Sequence, residues 1–171
     1  YRTIEFLKSN EHRTLYESRN LTVSNTAERL AQLMEIFLVK RLESSQAAFK
    51  ESLHNLFRYT ENMIKTWEAD RIFICPDLDV NKELGNNAIK SDDEFEQCLD
   101  MLADKAKKAN KKYSGHDDTG SNREYKRDDF DESYITLLRN DLLLIKKLCS
   151  QWDIQISDPK MSTFIYETAN Q

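Results

Sequence analysis

The chain has 171 residues, of which 32% are charged and 39% hydrophobic, and its formal charge is −5. That length holds one well-buried domain, whereas two independent cores would each be small, and the composition fits a helical protein with a wide solvated surface rather than a disordered tail. The acidic balance excludes global attraction to nucleic acid, so any such contact needs a local patch. The longest apolar runs, 36–39 and 142–145, fall far short of the roughly 18–20 residues that cross a bilayer.

Along the chain, the first 75 residues contain neither glycine nor proline, the residues that punctuate helices and strands. From Leu30, the apolar positions Leu33, Met34, Phe37, Leu38, Leu42, Phe49, Leu53, Leu56, Phe57, Met63, Ile64 and Trp67 recur at three- and four-residue steps, which predicts an amphipathic helix facing a core. Asn25 followed by Glu28 reads as its capping box. Unbroken over 26–70, this helix would be roughly 65 Å long, more than a domain of this mass is wide. A bend at Ser44–Ser45, where hydroxyls can bond back to the preceding turn, is the alternative to a continuous rod.

Residues 71–75 (RIFIC) are rich in β-formers and stop at Pro76, so they read as a short extended segment, with 154–156 as a weak candidate partner. Ser91 and Glu94 form a second capping box, opening a helix that carries Phe95, Cys98, Leu99, Leu102 and Ala106 as far as Tyr113. Residues 114–122 (SGHDDTGSN) read as a mobile surface loop. Asp129 with Glu132 predicts the start of a further helix with the stripe Tyr134, Leu137, Leu138, Leu142, Ile145, Leu148, Cys149 and Trp152. Asp158–Pro159 then opens a last short helix with Met161, Phe164 and Ile165 on its apolar face. The expected fold is an all-α antiparallel helical bundle with long helices and, at most, one minor strand pair.

Little catalytic chemistry is legible. Glycines stand only at 85, 115 and 120, too scattered to build a phosphate-cradling loop, and there is no GxxxxGK[ST] or GxGxxG. His12, His54 and His116 are far apart, and no HExxH pair exists. His116–Asp117–Asp118 is a weak cation candidate in the loop. Cys75, Cys98 and Cys149 are odd in number and lack CxxC spacing, which fits small buried hydrophobes in a reducing cytoplasm rather than disulfides or zinc knuckles. No catalytic or metal-ligating residue is assigned.

Two basic features carry two readings each. Lys105, Lys107, Lys108, Lys111 and Lys112 form a candidate phosphate-contacting patch. The same helix begins with Asp92, Asp93, Glu94 and Glu96, and acid at the N-terminus with base at the C-terminus is what the helix dipole favours on its own. Lys40, Arg41 and Glu43 are either a solvated ion-paired face or a contact surface. In the second case small Ser44, Ser45, Ala47 and Ala48 would let another backbone or a phosphodiester strand come close.

The segment LVKRLESSQAAFKESL at 38–53 resembles the signature helix between the motor lobes of bacterial Swi/Snf-related superfamily 2 DNA helicases. YRTIEFL at 1–7, RIFICPDLDV at 71–80 and DLLLIKKLCSQWDIQISDPKMSTFIYE at 141–167 resemble neighbouring stretches in the same order, and 81–128 has no counterpart. Some relatives also carry a phospholipase D-like nuclease domain. The resemblance implies that residues 1–171 are one non-catalytic helical insertion between RecA-like lobes, a piece of a longer polypeptide, as the start at Tyr1 also indicates. ATP and magnesium would belong to the parent protein, with none in this part, and DNA would be its substrate. Lys40, Arg41, Glu43, Ser44 and Ser45 would touch DNA or a facing lobe. Tyr1 and Gln171 are then expected near one another. The alternative reading is a stand-alone helical protein-interaction module, which a large exposed apolar patch would favour.

Overall fold

The computed structural model describes residues 3–17, 23–85, 91–114 and 120–154. A 3-10 turn at Thr3–Phe6 leads into α1 (Asn10–Glu17), α2 (Val23–Ser44), α3 (Gln46–Glu68), β1 (Ile72–Ile74), α4 (Val80–Gly85), α5 (Asp92–Ser114), β2 (Arg123–Tyr125), a 3-10 turn at Arg127–Asp129 and α6 (Ser133–Asp153). The fold is mostly α, as expected, with one antiparallel strand pair. The expected termini contact, the helix after Pro159 and His116–Asp118 lie outside the described residues.

The long amphipathic segment breaks at Ser45, whose backbone is extended (φ −161, ψ 128). The two serines divide the work. Ser44 Oγ donates back to Arg41 O at 3.1 Å and closes α2, while Ser45 Oγ accepts from Ala48 N at 3.4 Å and caps α3. The chain folds back here, so that residues 34–41 of α2 and 52–59 of α3 line one groove. The capping expectation at Asn25 fails, because α2 is already helical from Val23.

At its other end α3 stops in a Schellman arrangement. Asp70 is left-handed (φ 57), its N–H donates to Trp67 O at 3.1 Å, and Arg71 N donates to Thr66 O at 2.9 Å. Aspartate tolerates this conformation better than most residues because its short side chain bonds locally. Asp70 Oδ1 itself bonds across the fold, accepting from Arg127 N at 2.7 Å.

β1 pairs with β2 in the register Ile72–Tyr125, Phe73–Glu124 and Ile74–Arg123. This corrects the expected partner: Ile154 caps α6 in a helical conformation (φ −70, ψ −23), and 155–156 lie outside the described residues. Because side chains alternate along a strand, β1 serves two cores. Ile72 and Ile74 join Leu7, Tyr16, Trp67, Tyr125, Phe130, Tyr134 and Leu138. Phe73 and Cys75 join Leu84, Phe95, Cys98, Leu99, Leu102 and Ala106. A third cluster, Phe49, Leu53, Ile145 and Cys149, binds α3 to α6.

Two further expectations change. The start of α6 is fixed by Asp131, whose Oδ1 accepts from Ser133 N at 2.8 Å, while Asp129 accepts from Lys126 N at 2.8 Å instead of capping the helix. The end of the predicted surface loop is buried: Ser121 and Asn122 are 2% and 3% exposed. Asn122 N donates to Asn110 Oδ1 at 3.0 Å, Asn110 Nδ2 donates to Asn122 O at 2.8 Å, and Asn122 Nδ2 reaches Asp77 Oδ2 at 2.8 Å. This polar clasp pins the chain before β2 to α5 and to the turn after β1.

Candidate functional site

Periodicity placed Leu33, Met34, Phe37 and Leu42 of α2 in the core; the structure places them outside it. Phe37 is 64% exposed, and Leu33, Met34, Ile36, Val39 and Leu42 are between 37% and 53% exposed. Of residues 31–44, only Leu38 is even partly buried, and it packs against Phe49, Leu53, Ile145 and Cys149. The physical reason is that, among the described residues, α2 packs mainly against α3. Ile36 and Val39 fall off the stripe, so apolar side chains stand on more than one side of the helix, between Glu35, Lys40, Arg41 and Glu43.

The candidate residues lie at the end of this helix and at its turn. Lys40, Arg41, Glu43 and Ser44 are exposed, and Ser45 is half-buried in its capping role. Arg41 lines the α2–α3 groove together with Met34, Phe37, Leu38, Leu56 and Tyr59. The structure thus brings Lys40 and Arg41 beside the apolar face rather than into a cluster of cations.

The lysine helix is less concentrated than its sequence. Lys105 Nζ pairs with Glu83 of α4. Lys107, Lys108 and Lys111 are exposed on α5, and Lys112 is on the same helix. Asp92, Asp93 and Glu94 occupy the first turn, whose capping bond from Glu94 N to Ser91 Oγ (3.2 Å) is the expected one. Acid and base therefore sit where the helix dipole places them.

Other polar groups serve the fold. Arg71, with a side chain 16% exposed, donates from Nε to Glu124 Oε1 at 2.7 Å and from Nη1 to Asp100 Oδ1 at 2.7 Å, joining β1, β2 and α5. Tyr16 and Tyr125 share a hydroxyl–hydroxyl bond of 3.0 Å inside the first core, and burial pushes both phenols above their usual range. The three cysteines are buried and not in disulfides; burial pushes the Cys75 thiol up to about 12, the reverse of what a nucleophile needs. A groove of about 460 Å³ between α3 and α5 is lined by Lys65, Glu68, Ala69, Ser91, Asp92, Phe95 and Glu96, with no histidine or thiol among the described residues. No group of three or more His, Cys, Asp or Glu among the described residues is placed to hold a metal ion, and no helix among them is long and apolar enough to cross a membrane.

No protein-family model, curated protein or solved structure matches this chain.

Proposed function

We propose that this chain is a non-catalytic helical accessory unit of an ATP-dependent DNA helicase or translocase, docked through α2 onto the motor lobes of its own polypeptide. The observation that carries docking is the exposure of Leu33, Met34, Ile36, Phe37, Val39 and Leu42 on one helix. An apolar surface of this extent, left wet, favours association with another protein surface. The resemblance of 38–53 to the interlobe signature supplies the helicase context, with ATP and magnesium held by the parent and DNA as its substrate. Within this reading Lys40 and Arg41 face a lobe rather than a DNA strand, because a strand on these cations would leave the neighbouring apolar groups in water.

A second reading, a stand-alone protein-interaction module, is favoured by the same exposed face. The two are separated by amide exchange at 33–42: protection within the full-length parent supports docking on the lobes, and protection only after a separate protein is added supports the stand-alone module. The functional test is Lys40→Glu with Arg41→Glu in the parent. DNA-stimulated ATP turnover is expected to fall while the circular dichroism is unchanged; unaltered stimulation sinks the accessory role of these residues.

A further inference from the structure

The α2–α3 groove has a chemistry that selects its occupant. It encloses about 220 Å³, below the range of roughly 300–1,000 Å³ typical of sites that take a cofactor or drug-sized ligand, so it suits side chains. Its walls are Met34, Phe37 and Leu38 on one helix and Leu56 and Tyr59 on the other, with Ser52 and Asn55 adding polar atoms. The Arg41 guanidinium lies in the lining, and neither Arg41 nor Lys40 has an ion-pair partner among the described residues. An apolar trough with an unpaired cation in its wall is complementary to an apolar side chain that arrives beside a carboxylate. A second copy of α2 would bring Lys40 and Arg41 with it, and like charges brought together across an interface oppose association.

We propose that this groove binds an acidic amphipathic helix, with bulky apolar side chains at three- and four-residue spacing entering between α2 and α3 and a flanking carboxylate paired with Arg41. The mode is helix-in-groove, and the bound helix would cover Met34 and Phe37. The inference rests on the docking reading above and adds the chemistry of the docked segment. Direct contact of Lys40 and Arg41 with a nucleic-acid backbone is the outcome it opposes.

The probe is a fluorescently labelled helical peptide with leucine at every third or fourth position and glutamate elsewhere. Its lysine counterpart and single- and double-stranded DNA oligonucleotides complete the comparison. The glutamate peptide is expected to bind about tenfold tighter than the lysine peptide and to protect amides at 34–41 and 52–59 from exchange. Arg41→Glu, at an exposed position, is expected to reverse that preference, and Phe37→Ala to weaken both peptides without altering the far-ultraviolet spectrum. Equal binding of the two peptides, absence of binding at millimolar concentration, or protection of the same amides by DNA alone overturns the proposal. Failure here alongside altered ATP turnover in the parent double variant removes only this inference, whereas peptide binding with unaltered turnover removes the helicase role and leaves the groove.

Discussion

Gly120→Ala is the substitution whose cost follows most directly from the structure. A Cβ at position 120 would overlap Cγ and Oδ1 of Asn110. Asn110 is 4% exposed, and its side chain makes the two bonds that hold the Asn122 backbone, 3.0 Å to N and 2.8 Å to O. Moving Asn110 aside loses both at about 1 kcal/mol each and leaves buried polar atoms unpaired, so the expected loss is about 2–4 kcal/mol. Against a typical total of roughly 5–15 kcal/mol this is a large fraction. Urea denaturation followed at 222 nm reads the loss as a shift in midpoint. Gly85→Ala, where an added Cβ meets nothing within 4 Å, serves as the control and is expected near neutral. The mechanism also predicts non-additivity: once Asn110→Gly has removed the Cβ, Cγ and Oδ1 that the new methyl would meet, adding Gly120→Ala costs little more. A Gly120→Ala protein within about 0.5 kcal/mol of the unsubstituted chain, or strict additivity with Asn110→Gly, refutes the steric account.

Ser45→Ala removes the side-chain cap of α3 and is expected to cost about 1 kcal/mol in the same assay, with Ser45→Asp retaining most of the stability. Two pH effects follow from the shifted groups. Asp70, which accepts from Arg127 N, and Asp131, which accepts from Ser133, are held below the ordinary aspartate value of 3.8, so their contribution is present above that pH and is lost as pH falls beneath it. Cys75 is raised from 9.0 to about 12: its unfolded thiol ionises first, so stability is full below pH 9 and declines as pH rises towards 12, and Cys75→Ala should flatten that decline in urea midpoints measured against pH. Phe37→Glu, at a side chain largely in water, is expected to shift the urea midpoint by less than about 0.5 kcal/mol.

Those parts of the fold governed by local chemistry were legible in the sequence. The α5 stripe of Phe95, Cys98, Leu99, Leu102 and Ala106 is wholly buried, because helical spacing and the Ser91 cap point to the same face. Length left a continuous rod and a bend at Ser44–Ser45 both open, and the structure has the interruption there, with Ser45 as the cap of α3. The pairing of β1 was not legible. Its partner, Arg123–Tyr125, has charged residues at two of its three positions and is selected by Tyr125 reaching Tyr16 and by Glu124 reaching Arg71. Both are contacts across the fold that no local window contains. Asn122 likewise reads as loop by composition, yet it is buried because Asn110 and Asp77 satisfy its amides. In the candidate site, the position of Arg41 beside small residues was legible, but the exposure of α2 was not. Periodicity identifies the sides of a helix that are apolar, and only the arrangement of neighbours decides how many of them are covered.

The beginning of the chain is tied to residues made much later. Leu7 bridges Phe130, Lys8 N donates to Asp129 O at 2.8 Å, and Asp131 N donates to Phe6 O at 2.8 Å, a sequence separation of about 120 residues. During synthesis at about 5–20 residues per second, the opening segment must therefore wait roughly 6–24 s for its partners. Leu7 and Tyr16, completely enclosed in the finished protein, spend that interval in contact with solvent or a chaperone. Closure of the first core thus waits for Phe130 to be made and released.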